Sequence, residues 1–207
     1  PLATITMIAD VLKEEYSSDL NRKSRELVSF IGDSSQQLIS LIDGILEYSK
    51  NTSLIGQKKE VINLEHLLLS IIKWIDPEQK ITFNLTLHNQ KEIFINKIAL
   101  EQILINLLTN AVKYNDKDHP RISVTIKSEE NFLRVNVKDN GPGIKHEDRE
   151  RIFGIFQTTS NTDREGSHGT GIGLATVKSL VEGLGGHIKV YSEPGNGAAF
   201  EFTMRNV

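Results

Sequence analysis

Two stretches near the start of the chain share one hydrophobic period. The apolar positions run Leu2, Ile5, Ala9, Leu12, Tyr16, and later Leu27, Ile31, Leu38, Leu41, Ile45, Tyr48, with Ser34 the single polar residue on the seam. Steps alternating between three and four predict two helices whose apolar stripes pack at coiled-coil-like angles. Pro1 suits a first helical turn, where its missing N–H is no loss. The polar link Ser17-Ser18-Asp19 is short enough for an antiparallel hairpin. Two helices alone cannot bury both of their faces. A second copy completes a four-helix bundle, so the pattern predicts a homodimer through the N-terminal helices.

Asn51-Thr52-Ser53, with Gly56 and Lys58-Lys59-Glu60 beyond, reads as a linker. After it the periods mix. Leu64 to Ile75, Ile98 to Tyr114 and Gly171 to Leu184 are helical in pattern. Ile81 to Leu87 alternates as a strand, and Glu92 to Asn96 reads as a short one. Ile122 to Ile126 and Leu133 to Val137 alternate as hairpin partners across Glu129-Glu130-Asn131. His187 to Ser192 and Ala198 to Met204 complete the strands. The fold class is therefore α+β: a helical hairpin, then a mixed sheet with helices stacked on one face.

Composition narrows the function. Over 207 residues the chain is 38% hydrophobic and 25% charged, enough to bury a core. Lys+Arg 24 against Asp+Glu 27 leaves −3, which supplies no general attraction to nucleic acid or an anionic membrane surface. The absence of cysteine removes disulfides, thiolate metal sites and thiol nucleophiles together. No apolar run approaches the ~20 residues that cross a bilayer, and the first residues lack the basic leader of a signal peptide. A chain opening on proline, with no methionine before Met7, is expected to be cut from a longer protein.

Four segments carry candidate chemistry. In Asn106-Leu107-Leu108-Thr109-Asn110-Ala111-Val112-Lys113-Tyr114, residues Asn106, Asn110 and Lys113 form one polar helical stripe. Amide oxygens can ligate Mg²⁺ or accept from its waters, and a lysine adds a point charge for phosphate; alone, the stripe reads rather as a solvated face with a helix-ending lysine. Asp139-Asn140-Gly141-Pro142-Gly143 follows a strand. It has the composition of a tight turn, and equally of a carboxylate accepting from an adenine amino group beside glycines that admit a flat ring. Gly169-Thr170-Gly171-Ile172-Gly173-Leu174 opens a helix with bare N–H groups, a phosphate-site pattern. It lacks the Gly-Lys-Ser/Thr of a Walker loop, and no strand precedes it as a dinucleotide fingerprint requires. Arg151-Ile152-Phe153-Gly154-Ile155-Phe156 places two aromatic rings a helical turn apart, expected to anchor in the core. The polar stretch Gln157 to His168 is expected to be a lid over a nucleotide. Of the six histidines, none has metal-ligand spacing.

Taken in chain order, the four segments resemble the N, G1, F and G2 boxes of sensor histidine kinases, within the GHKL (Bergerat-fold) ATP-binding superfamily. Phe156-Gln157-Thr158 and Gly169-Thr170-Gly171-Ile172-Gly173-Leu174-Ala175 are similar to the phytochrome-type branch. Residues 1–52 resemble the dimerisation and histidine-phosphotransfer hairpin, ending in Ile45-Leu46-Glu47-Tyr48-Ser49, and 58–207 the ATP-binding catalytic domain, a Bergerat-type α/β sandwich with a mixed sheet.

The resemblance implies ATP and Mg²⁺ as cofactors. Asn110 is the implied metal ligand; Asn106, Asn110 and Lys113 are the catalytic residues, also touching the phosphates, with Tyr114 close to the nucleotide. Asp139 reads adenine. Gly141, Gly143, Ile144 and Phe156 shape the pocket, while Gly169, Thr170, Gly171, Gly173 and Leu174 form the phosphate loop and lid base. The implied reaction is γ-phosphoryl transfer from ATP to a histidine, then relay to a response-regulator receiver domain, in the cytoplasm and without direct membrane contact by this segment. The family's acceptor motif ends in a proline that matches Pro1, placing its histidine upstream of this chain. Ala199 and Leu184 stand where the family commonly has threonine and histidine. Hydrolytic relatives carry a glutamate where this chain has Asn106, whose amide cannot take a proton from water. A nucleotide-binding scaffold without activity is the other reading, distinguished by the residues upstream of Pro1.

Overall fold

The three-and-four spacing becomes two helices, α1 (Leu2–Glu14) and α2 (Arg22–Ser49). Asn21 caps α2, its Oδ1 accepting from the Ser24 N–H at 2.9 Å and so satisfying one of the free donors of the first turn. The computed structural model describes residues 1–16, 18, 20–88, 92–159 and 169–206. Ser17 and Asp19 of the expected link therefore lie outside the described residues. The chain divides into two units, Pro1–Glu47 and Tyr48–Val207.

Within the first unit the helices approach through small residues. Ala9 is 3% exposed, and a Cβ added at Gly32 would stand 3.3 Å from its methyl. The larger seam residues Leu27, Ile31, Leu38 and Ile45 are all exposed. The hairpin thus closes on alanine and glycine and leaves its broad apolar stripe outward.

The second unit begins at once with a short helix, α3 (Asn51–Ile55), where a linker was expected. Tertiary contacts account for it: Leu54 and Ile55 pack on the core, and Asn96 Nδ2 donates to the Leu54 carbonyl at 2.7 Å. β1 (Glu60–Asn63) follows, then α4 (Leu64–Ile75), β2 (Thr82–His88), β3 (Glu92–Ile95) and α5 (Lys97–Lys113). Asparagines cap both helices, Asn63 accepting from His66 N–H at 2.9 Å and Asn96 from Ala99 N–H at 3.0 Å. β1 was also unforeseen. It is four residues long with a single buried side chain, Ile62, which pairs with Ile93 of β3 in a separate two-stranded sheet.

The main sheet comprises β2, β4 (Arg121–Ser128), β5 (Phe132–Asp139), β7 (Ala198–Arg205) and β6 (Ile188–Ser192), in the order β2-β4-β5-β7-β6. β2 and β4 run parallel and the other neighbours antiparallel, so the sheet is mixed as expected. Register aligns the inward residues across strands, for example Val124 opposite Val137 and Val137 opposite Phe200. These pack against Leu104, Leu107 and Leu108 of α5 and Val177, Leu180 and Val181 of α6 (Gly173–Gly183) in one continuous core. The opposite face is polar: Arg134 forks onto Glu129 at 3.1 and 3.3 Å and reaches Glu201 at 3.2 Å. The consequence for function is that α5 lies rigidly on the sheet, with its C-terminal end beside the end of β5.

Candidate functional site

Burying Leu104, Leu107, Leu108 and Ala111 turns the opposite stripe of α5 outward, carrying half-buried Asn106 and Asn110 and exposed Lys113. Asn106 Nδ2 donates to the Gln102 carbonyl at 3.0 Å, which orients its amide. Its Oδ1 is the atom that a Cβ on Gly173 would meet at 2.8 Å. The first residue of α6 therefore rests on Asn106, and only a residue without a side chain allows that approach. Tyr114 ends α5, its N–H donating to the Asn110 carbonyl at 3.1 Å, with Lys113 Nζ 5.6 Å from its ring centroid. The Tyr114 hydroxyl fills the space a side chain at Gly169 would need.

Asp139 forms a second corner. Its Oδ1 accepts from the N–H groups of Gly141 at 2.8 Å and Ala198 at 3.2 Å. Burial pushes its carboxyl above the ordinary aspartate range; the Gly141 and Ala198 N–H groups oppose that rise, and the charge of Asp116 adds a smaller push. The turn beyond is packed against residues 193–197. Gly143 has φ +73°, and the Glu193 backbone carbonyl occupies the position of any Cβ there. Ser192 stitches the two loops, accepting from Ile144 N–H at 2.8 Å and donating to the Gly197 carbonyl at 2.7 Å. Gly141 faces the end of α5, its notional Cβ 3.5 Å from the Tyr114 carbonyl oxygen.

The aromatic pair divides. Phe153 packs edge-on against Phe200, ring centroids 6.3 Å apart at 88°, as a core anchor. Phe156 does not: it is exposed, at φ +63°, and its N–H donates to the Gly171 carbonyl at 3.0 Å. Left-handed backbone at a bulky residue costs about 1–3 kcal/mol and persists only where neighbours impose it. Here the hydrogen bond and the close backbone of Gly171 do so, directing the ring away from the core. Thr170 is half-buried, and Leu174 packs on the core. Residues 160–168 of the expected lid, His168 among them, lie outside the described residues.

The structure thus joins the polar stripe, the Asp139 turn, the aromatic segment and the glycine segment around the C-terminal half of α5. Three supporting residues had not been singled out from sequence: Asn115, Asn140 and Ser192. The Asp-Asn-Gly turn composition hinted at Asn140, and the run Ser192-Glu193-Pro194-Gly195-Asn196-Gly197 at Ser192. Among the described residues no group of three or more His, Asp or Glu side chains could hold a metal ion. A neutral amide such as Asn110 is too weak a donor set for a resident metal but fits Mg²⁺ arriving with phosphate oxygens and keeping several waters.

Residues 95–207 match the family of histidine kinase-, DNA gyrase B- and HSP90-like ATPases, more than half of the 207-residue chain. The chain belongs to this family. Within it, this is a histidine kinase catalytic ATP-binding domain carrying an N-terminal helical hairpin. Cyanobacterial phytochrome A of Nostoc sp. is 32% identical over 206 residues, covering 99% of this chain and 26% of that protein. ShkA, solved at full length with AMPPNP, superposes with a TM-score of 0.67 at 26% identity, over 99% of this chain and 42% of its own. The catalytic domain of the histidine kinase ThkA gives a TM-score of 0.60 at 26% identity over 72% of this chain and 99% of its own. ThkA in complex with the response regulator protein TrrA gives 0.67 over 100% of this chain and 59% of its own, at 20% identity a likeness of fold. The chain spans about a quarter of the length of the curated relatives it matches. No helix among the described residues is long and apolar enough to cross a membrane.

Proposed function

We propose that this chain is the kinase core of a cytoplasmic two-component sensor histidine kinase, active as a homodimer through residues 1–52, with 58–207 binding Mg-ATP. The observation that carries the reading is the seating of α6 on the α5 stripe: Gly173 lies on Asn106 and Gly169 on Tyr114, so the backbone of the glycine segment and the amides of α5 face one another, as a site for phosphate oxygens requires. Asp139 accepts from the adenine amino group through Oδ2, since the Gly141 and Ala198 N–H groups both engage Oδ1. Gly141, Gly143 and Ile144 line the base, with Phe156, Thr170, Gly171 and Leu174 at the lid base. Asn110 holds Mg²⁺, which neutralises charge on the phosphates when bound. Asn106 and Lys113 orient the γ-phosphoryl group for a histidine nucleophile, so that positioning and charge stabilisation supply the catalysis. Asn106 has no basicity to activate water, which disfavours hydrolysis. The acceptor is a histidine outside the six of this chain, and the relay partner is a response-regulator receiver domain.

Incubation with labelled ATP tests this. The chain alone should acquire no acid-labile label, and should label a hairpin that carries the family's acceptor histidine when it is supplied in trans. Asn110→Ala should abolish that transfer, and Asp139→Asn should weaken ATP binding at least about tenfold by turning an acceptor into a donor toward the amino group. Acid-labile label on the isolated chain would show the acceptor misplaced; rapid steady hydrolysis would instead indicate an ATPase.

A further inference from the structure

One amide spans the loop between α5 and β4 and the turn after β5. Asn140 Oδ1 accepts from the Arg121 N–H at 2.8 Å and from Asn115 Nδ2 at 3.0 Å, while its own Nδ2 donates to the His119 carbonyl at 3.1 Å. Asn115 is 1% exposed, and its Oδ1 accepts from the Lys117 N–H at 3.1 Å. This arrangement admits a single orientation of Asn140. A flipped amide would set its NH₂ against two donors and its oxygen against a carbonyl. Residue 140 is therefore held firmly to the segment that leaves α5.

That matters for its neighbour. The peptide joining Asn140 to Gly141 carries the N–H that anchors Asp139 Oδ1 at 2.8 Å. Gly141 in turn faces the same segment, its notional Cβ 3.5 Å from Asn115 Cα. The direction of the Asp139 carboxylate is thus set, together with the Ala198 N–H at 3.2 Å, by a peptide whose own orientation is set by the Asn140–Asn115 clamp, and the clamped peptide makes the shorter bond. Hydrogen bonds weaken steeply with misalignment, so a small tilt of this peptide is felt at the carboxylate.

We propose that Asn140, clamped by Asn115, is a positioning residue for base selection: it aims Asp139 Oδ2 at the exocyclic amino group of the nucleotide. The proposal rests on the adenine role given to Asp139 above. On the phosphate side, Asn106 is oriented by the Gln102 carbonyl and Gly173 rests on it, contacts that do not involve this peptide. Loss of the clamp therefore selectively removes recognition of the amino group.

The test is titration calorimetry on the whole 207-residue chain, with ATP and with purine riboside triphosphate, which is ATP without that amino group. The parent chain should prefer ATP. Asn140→Ala should weaken ATP binding about tenfold, the scale of one misaligned buried hydrogen bond, while affinity for purine riboside triphosphate stays the same. Asn115→Ala removes one of the three bonds to Asn140 and should give the same pattern at smaller amplitude, so the result does not hang on one variant folding. Parallel loss of both affinities, or no loss of either, overturns the clamp. A parent chain that fails to prefer ATP overturns the Asp139 assignment instead, leaving the two failures distinguishable.

Discussion

The two units solve the same burial problem in opposite ways. In residues 48–207, α5 and α6 press against a twisted mixed sheet, and Leu104, Leu108, Val135 and Phe202 are completely enclosed. In residues 1–47 the helices meet through Ala9 and Gly32, while Leu27, Ile31, Leu38 and Ile45 stay exposed in one copy. The second unit has a third dimension to its core, because a sheet offers a broad apolar face on which helices lie. A hairpin offers only one line of contact. In the homodimer proposed above a second copy would cover its remaining stripe, and its stability would then depend on concentration whereas that of the other unit would not.

The contrast can be broken from either side. Phe202→Ala empties the centre of the sheet–helix core and should destabilise the second unit by about 3–5 kcal/mol. Its melting midpoint, followed by calorimetry, should fall while light scattering still reports a dimer. Leu38→Asp should do the reverse. A charge buried without a partner costs about 3 kcal/mol, enough to make the chain monomeric at micromolar concentration, while ATP affinity is unchanged. A monomeric parent chain at high micromolar concentration would remove the reason for the outward seam.

A smaller effect sharpens the picture at Asp139. Because burial raises its carboxyl above the unfolded value, the folded unliganded domain keeps that proton to higher pH than the unfolded chain. Stability from this group is complete below the unfolded value and is lost as pH rises through the folded one. Nucleotide binding runs the other way, since the ionised form is the acceptor. ATP affinity should therefore begin to fall on acidification at a higher pH than an ordinary aspartate would dictate. Asp139→Asn should flatten that dependence, and an unaltered slope in the variant would assign the titration to another group.

Much of the architecture was legible because periodicity reports burial directly. Leu64–Ile75 stands as α4 from end to end, and the β4–β5 hairpin turns at Glu129-Glu130-Asn131 as its alternation predicts. Two of the elements missed, α3 and β1, are short, and each is held by a distant partner: α3 by Asn96 and the core, β1 by β3. Nothing local separates such segments from a linker. Phe156 failed for a related reason, its ring turned outward by a hydrogen bond to Gly171, fifteen positions along the chain.

For the site, the residue types and their order along the chain carried the resemblance to ATP-binding boxes: amides and a lysine on one helical stripe, a carboxylate before a glycine turn, and glycines opening a helix. Those are local properties, fixed by helical pitch, turn geometry and the donors each side chain carries. Tertiary structure alone decided which of them meet. Gly173 against Asn106, Gly169 against Tyr114, and Asn140 bonded to Asn115 are contacts between segments far apart in the chain. They exist because the core beneath α5 brings the ends of β5 and α6 to the same place, and no spacing within a single segment encodes that approach.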